Sequence, residues 1–182
     1  TTCMTTELSP KRLELLKEVL PSLARVAVLV NPANASFAPT MARMSRTAES
    51  LRIVLARQPV AVPEALPAAF DAIAKSGARA VVLQEDTMFA VAARTMAGLA
   101  LDRRLASAGS AAFADAGGLL GFGASDLALY RRAAYFIDRI LKGTPPGELP
   151  VEQATRFYLT LNLKTARSLG LTLPRGVLLR AD

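Results

Sequence analysis

Two short polar stretches hold the residues with the most chemistry in this chain, and each ends an apolar run. They are Asn31-Pro32-Ala33-Asn34-Ala35-Ser36 and Gln84-Glu85-Asp86-Thr87. Glu85 and Asp86 are adjacent, so at least one carboxylate projects outward from the point where the run stops. Such a carboxylate can read a ligand ammonium, sit solvated in a turn, or act as a general base. Acid–base pairs, however, usually converge from separate elements rather than from neighbouring residues. In the first stretch, Ser36 stands where a helix cap is expected. The turn is then either a capped helix start or an anion site. As an anion site it would offer the N–H groups of Ala35 and Ser36, the Ser36 hydroxyl and an Asn amide. Phe113 is either a core residue or an aromatic wall beside these groups.

Other chemistry is excluded by residue type. The 182 residues contain no histidine and one cysteine, Cys3. His-based catalysis, the Ser-His-Asp triad and the usual zinc sites are therefore ruled out, and an intrachain disulfide is impossible. Gly117-Gly118-Leu119-Leu120-Gly121-Phe122-Gly123 superficially matches a phosphate-binding loop, but it lies across an expected strand instead of between strand and helix. Those glycines fit close backbone approach or a hinge better. Met41 and Met44 share a helical stripe with Ala48, Leu51 and Leu55, which reads as core packing and not as a soft-metal site.

The elements that must position these residues follow from periodicity. Val26–Val30 is a continuous aliphatic run, the pattern of a strand buried on both faces. Strands are also expected at 58–62, with Pro59 suggesting a sheet edge, and at 79–83, 105–108 and 119–122. Between them lie helices over 10–20, 36–56, 64–76 and 88–103, and a helical turn at 111–116. This alternation predicts an α/β fold with a doubly wound parallel sheet and right-handed crossovers. Its carboxyl edge, where open α/β folds bind ligands, is lined by Asn31–Ser36, Gln84–Thr87 and Ala108–Phe113. The tail differs: an amphipathic helix over 126–142, a Pro-rich linker at 144–150, a strand at 157–161 and a helix at 163–168. It looks too elaborate to be a mere cap.

Charge and hydropathy bound the partners. The net charge is +7. It is spread out, with 13 basic against 10 acidic residues in 1–124 and 9 against 5 in 125–182. No basic cluster is interleaved with aromatics, so a solvated basic surface is expected and no nucleic-acid partner. No apolar run reaches the roughly 20 residues of a membrane span. The first ten residues lack the charged and apolar regions of a signal peptide.

Several stretches, in order, carry a family resemblance. They are Leu8–Glu18, Arg25–Pro32, Ala116–Gly123, Tyr130–Ala134, Asp138–Gly143, Leu149–Gln153, Asn162–Ala166, Leu169–Pro174 and Leu178–Asp182. Together they resemble ABC-transporter substrate-binding proteins of the tryptophan/tyrosine type, two-lobed proteins that trap a ligand in the cleft between lobes. The resemblance implies that 1–20 is hinge-proximal, 21–123 is the second α/β lobe, and 124–182 is a crossover helix and tail packing partly on a first lobe not contained in the chain. An exposed crossover helix would then favour self-association. It further implies a ligand carboxylate at Asn34, Ala35 and Ser36, and a ligand ammonium at Asp86. The expected ligand set is Asn31, Asn34, Ala35, Ser36, Gln84, Asp86, Phe113 and Gly123, with no cofactor and no metal. This sequence has Val30 where an aromatic can precede Asn-Pro, and its turn is about one residue shorter. The implied role is that of an exported protein that captures a small molecule, such as an amino acid, in the periplasm for a membrane permease. The alternatives are a doubly wound enzyme using Glu85 or Asp86, or the effector domain of a regulator.

Overall fold

A computed structural model describes residues 5–152, 154 and 156–182; Cys3 lies outside them. Six strands form one sheet in the order β2-β1-β3-β4-β5-β6. These are β1 (Arg25–Val30), β2 (Val54–Pro59), β3 (Ala80–Leu83), β4 (Ala106–Gly109), β5 (Leu120–Ala124) and β6 (Phe157–Leu161). The first five are parallel and β6 is antiparallel to β5. The helices are α1 (Thr5–Val19), α2 (Phe37–Ser50), α3 (Leu66–Lys75), α4 (Thr87–Val91), α5 (Ala93–Asp102), α6 (Asp126–Leu141), α7 (Leu163–Ser168) and α8 (Arg175–Leu178).

The aliphatic run of β1 explains the layering, because successive side chains leave a strand on opposite faces. Val26, Val28 and Val30 enter one core with α1, α2 and the tail residues Ala166, Leu173 and Val177. Ala27 and Leu29 enter the other, with Phe70, Ile73 and Met96 of α3 and α5. Helices on both faces of a mostly parallel sheet are the doubly wound architecture expected from the sequence.

Several boundaries differ from expectation. α1 begins at Thr5, with Pro10 inside it; Leu8 is buried in this earlier turn and lies beside Gly123. α2 ends at Ser50 because Arg52 takes a left-handed conformation (φ 57°) and the Ile53 N–H closes back on the Ala48 carbonyl at 2.8 Å. The next strand therefore starts at Val54, and Pro59 ends it instead of opening it. That strand pairs only with β1, so it is an edge as expected. The expected helix over 88–103 is two helices, broken at Ala92. The turn expected over 111–116 is a shorter 3-10 helix, Ala111–Phe113.

Most of the tail closes onto this same unit. β6 completes the sheet, and Ala166, Leu173 and Val177 are core residues. α6 is the exception. Leu127, Tyr130, Tyr135, Ile137, Ile140 and Leu141 are all exposed along it. The Ser125 hydroxyl caps it by accepting from the Ala128 N–H at 3.3 Å. Among the described residues, its side-chain tie to the rest of the chain is the fork between Arg132 and Glu152, with Nε donating to Oε2 at 2.6 Å. That hydrogen bond holds the Glu152 carboxyl below its ordinary range. Among the described residues, no helix is long and apolar enough to cross a membrane.

Candidate functional site

The carboxyl ends of β1 and β3 are wired together by side-chain amides. Gln84, the residue after β3, is buried. Its Oε1 accepts from the Asn31 N–H at 3.1 Å, and its Nε2 donates to the Ser36 hydroxyl at 3.2 Å. One buried amide thus spans both strand exits, satisfying groups that would be costly to leave unpaired. Asn31 Nδ2 and Asn34 Nδ2 both donate to Asp86 Oδ2, at 3.0 and 2.8 Å. Asp86 Oδ1 accepts from the Met88 N–H at 2.8 Å, so Asp86 is also the N-cap of α4. Asn34 Nδ2 reaches the Glu85 carbonyl as well, at 3.1 Å.

The turn is more self-satisfied than its sequence implies. Ser36 does not cap α2 with its side chain. Its hydroxyl donates to Asn34 Oδ1 at 2.7 Å, and its N–H, expected to be free, donates to the same oxygen at 2.8 Å. Asn residues favour such local bonds because their short amide reaches backbone two residues on. The N–H groups of Ala33, Asn34 and Phe37 also have acceptors within the turn. Ala35 is the turn residue whose N–H has no acceptor among the described residues, and it is exposed.

The two carboxylates are separated by their partners. Glu85 is paired with Arg12 of α1, a residue the sequence analysis did not single out. Arg12 is fully buried. Its guanidinium donates to Glu85, to the Leu83 carbonyl at 3.3 Å, and to the Phe122 carbonyl at 2.9 Å from Nε and 2.7 Å from Nη2. One side chain therefore joins α1, the β3 exit and β5. A signal for it existed: Arg12 is four residues after Leu8 and four before Leu16, on the core-facing stripe of α1. Asp86 has no cationic partner among the described residues, and its three donors are neutral amides. Its charge is held in place without being cancelled.

The glycine run admits close contacts. Phe113 is buried in the second core, with its ring against Gly109 and Gly118. A Cβ added at Gly121 would lie 2.4 Å from the Ala111 carbonyl oxygen. At Gly123, also buried, an added Cβ would lie 3.4 Å from Arg12 Nη2. Gly123 thus gives room to the guanidinium at the edge. The space among Gln84, Glu85, Asp86, Phe89 and Phe113 is about 20 Å³, enough for one water and no more. This edge is a polar wall, not an enclosed pocket. The structure brings Asn31, Asn34, Ser36, Gln84 and Asp86 into one network with Ala35 on its outer side, and sets Phe113 and Gly123 behind it.

The profile of a family described as ABC transporter substrate binding protein matches residues 4–182. No curated protein matches the sequence significantly. Among solved structures, a conserved domain protein from Vibrio cholerae superposes with a TM-score of 0.87 at 27% identity, covering 96% of this chain and 59% of that one. The ABC domain in complex with L-Trp from Streptococcus pneumoniae gives 0.85 at 21% identity, covering 96% and 60%. A periplasmic solute binding protein from Actinobacillus succinogenes with bound D-allose gives 0.65 at 11% identity, covering 90% and 60%. The chain thus spans about 60% of the length of these structures.

Proposed function

The chain belongs to the ABC transporter substrate-binding protein family, and from that premise we propose that it is the second lobe of a two-lobed solute-binding protein that delivers a small molecule to an importer permease. The carboxyl edge is one jaw of the cleft. The observation that carries this reading is the Asp86 carboxylate, fixed by Asn31 and Asn34 and left with its charge uncancelled. A charge aimed by neutral donors attracts a ligand ammonium without reorganising on binding. The Ala35 N–H, on an exposed residue at the positive end of α2 and without an acceptor among the described residues, is the remaining donor for a ligand carboxylate. The solute class that fits both is an amino acid. Titrating amino acids into the two-lobed protein tests this, with Asp86→Asn expected to abolish binding of the best ligand.

No chemical step is assigned. Glu85 is engaged by Arg12, and Asp86 is surrounded by donors that hold it in place. Binding a ligand ammonium needs only a fixed charge and an acceptor at Asp86, with no proton transferred to or from it. The proposed location is the periplasm, where such proteins meet their permeases.

α6 supports the lobe assignment. A 16-residue amphipathic helix with an exposed apolar stripe needs a cover, and the opposing lobe is the proposed one. The 182-residue chain by itself is therefore expected to self-associate through α6. Sedimentation velocity should show concentration-dependent dimers, and Tyr130→Glu/Ile137→Glu should give monomers whose unfolding midpoint matches the parent's at concentrations where the parent is dissociated. A monomer at all concentrations for the parent chain would contradict the assignment of that face.

A further inference from the structure

A cavity of about 330 Å³ opens at the amino-terminal edge of the sheet, the end opposite the polar wall. Strands of four to six residues separate the two ends by about 13–20 Å. The cavity's apolar walls include Leu23, Leu105 and Leu171, and its cations are Arg79, Arg103 and Arg104. Among the described residues no carboxylate lines it.

The three arginines differ in what holds them. Arg103 is engaged by Asp71, with Nη2 at 2.7 Å, and by the Leu99 carbonyl at 3.1 Å. Arg79 and Arg104 have no carboxylate within ion-pair distance among the described residues. Their backbones are nevertheless fixed. The Arg79 N–H donates to the Arg25 carbonyl at 3.2 Å, and its own carbonyl accepts from the Ala106 N–H at 3.1 Å. Arg104 sits in the left-handed conformation (φ 53°) at the end of α5. Gly77 fills the equivalent place after α3 (φ 76°), where glycine adopts that conformation at no steric cost. The fold tolerates a strained arginine at the cavity where glycine would suffice.

We propose that this cavity is a second binding site, independent of the cleft, for a small amphiphilic anion: a carboxylate on an apolar stem. The volume suits it, since ligand pockets begin at about 300 Å³. At about 30 Å³ per water-sized heavy atom, the cavity takes about ten non-hydrogen atoms, the size of octanoate. The leucines receive the stem. Arg79 and Arg104, the two lining cations with no carboxylate partner among the described residues, receive the carboxylate, for which a guanidinium fork is geometrically matched. Because the two sites lie at opposite strand ends, both can be filled at once.

The test is a titration of octanoate into the isotopically labelled chain, followed by amide shifts in nuclear magnetic resonance. Saturable shifts are expected at Ala78, Leu105 and Leu171, with octylammonium producing none there. Arg79→Gln/Arg104→Gly should weaken octanoate at least about tenfold. Because Arg104→Gly relieves the left-handed backbone, that variant should keep or raise the thermal midpoint, which separates lost binding from lost folding. Absent or non-saturating shifts, equal shifts with octylammonium, or an unchanged affinity in the double variant would each overturn the proposal. So would binding to phosphatidylglycerol vesicles with no response to free octanoate.

Discussion

Arg12→Ala is expected to lower the free energy of unfolding by about 3–5 kcal/mol, the usual cost of removing one partner of a buried ion pair. The side chain is fully buried and donates to the Glu85 carboxylate and to the carbonyls of Leu83 and Phe122. Truncation leaves all three acceptors without their donor, at the junction of α1, β3 and β5. Arg12→Lys should recover only part of the loss, because one ammonium cannot reproduce a planar fork reaching three separate acceptors. Urea unfolding reads both, as a lower midpoint with an unchanged slope. An unfolding free energy for Arg12→Ala within about 1 kcal/mol of the parent would show that the buried fork is not what joins these elements.

The second large effect is expected at Gly118. An added Cβ would stand 2.1 Å from Phe113 Cε1 and 2.2 Å from Cδ1, and the ring is buried in the core and already packed closely on Gly109. Neither neighbour is the loose end of a flexible chain, so the core must shift. Gly118→Ala should cost about 3 kcal/mol, at the upper end of overpacking penalties. Shortening the ring should relieve part of this, so Gly118→Ala/Phe113→Leu is expected to be more stable than the two single changes predict by addition. Strict additivity in a double-mutant cycle would contradict the contact.

These residues also mark how far the sequence could be read. β1 was legible because an unbroken aliphatic run admits few alternatives once both faces must be buried. The junction of α2 and β2 was not, because Leu51 and Leu55 continue the helical spacing of Met41, Met44 and Ala48. What stops the helix is the left-handed Arg52, and an arginine gives no local sign of that conformation. The site shows the same division. Asn31–Ser36 and Gln84–Asp86 could be placed at one sheet edge from strand exits alone. Their wiring could not, since Asn34 satisfies the Ser36 N–H that was expected to be free, and Glu85 turns to Arg12 while Asp86 does not. Such choices depend on long-range partners: 73 residues separate Arg12 from Glu85. The apolar stripe of α6 was plain in its periodicity, and the structure adds that nothing in the described chain buries it.

The central claim is that this edge is half of a ligand cleft organised by the Asp86 charge. The most direct measurement is a thermal-shift screen of the amino acids on the two-lobed protein and on its Asp86→Asn variant, which keeps an N-cap side chain for α4 while removing the charge. At a hundredfold excess over its dissociation constant, a true ligand adds about 2.7 kcal/mol to the folded state, enough to raise the midpoint by several degrees. The account predicts that at least one amino acid raises the parent midpoint and leaves that of Asp86→Asn unmoved. A best ligand that stabilises both proteins equally, or a panel in which no amino acid shifts the parent, would contradict it.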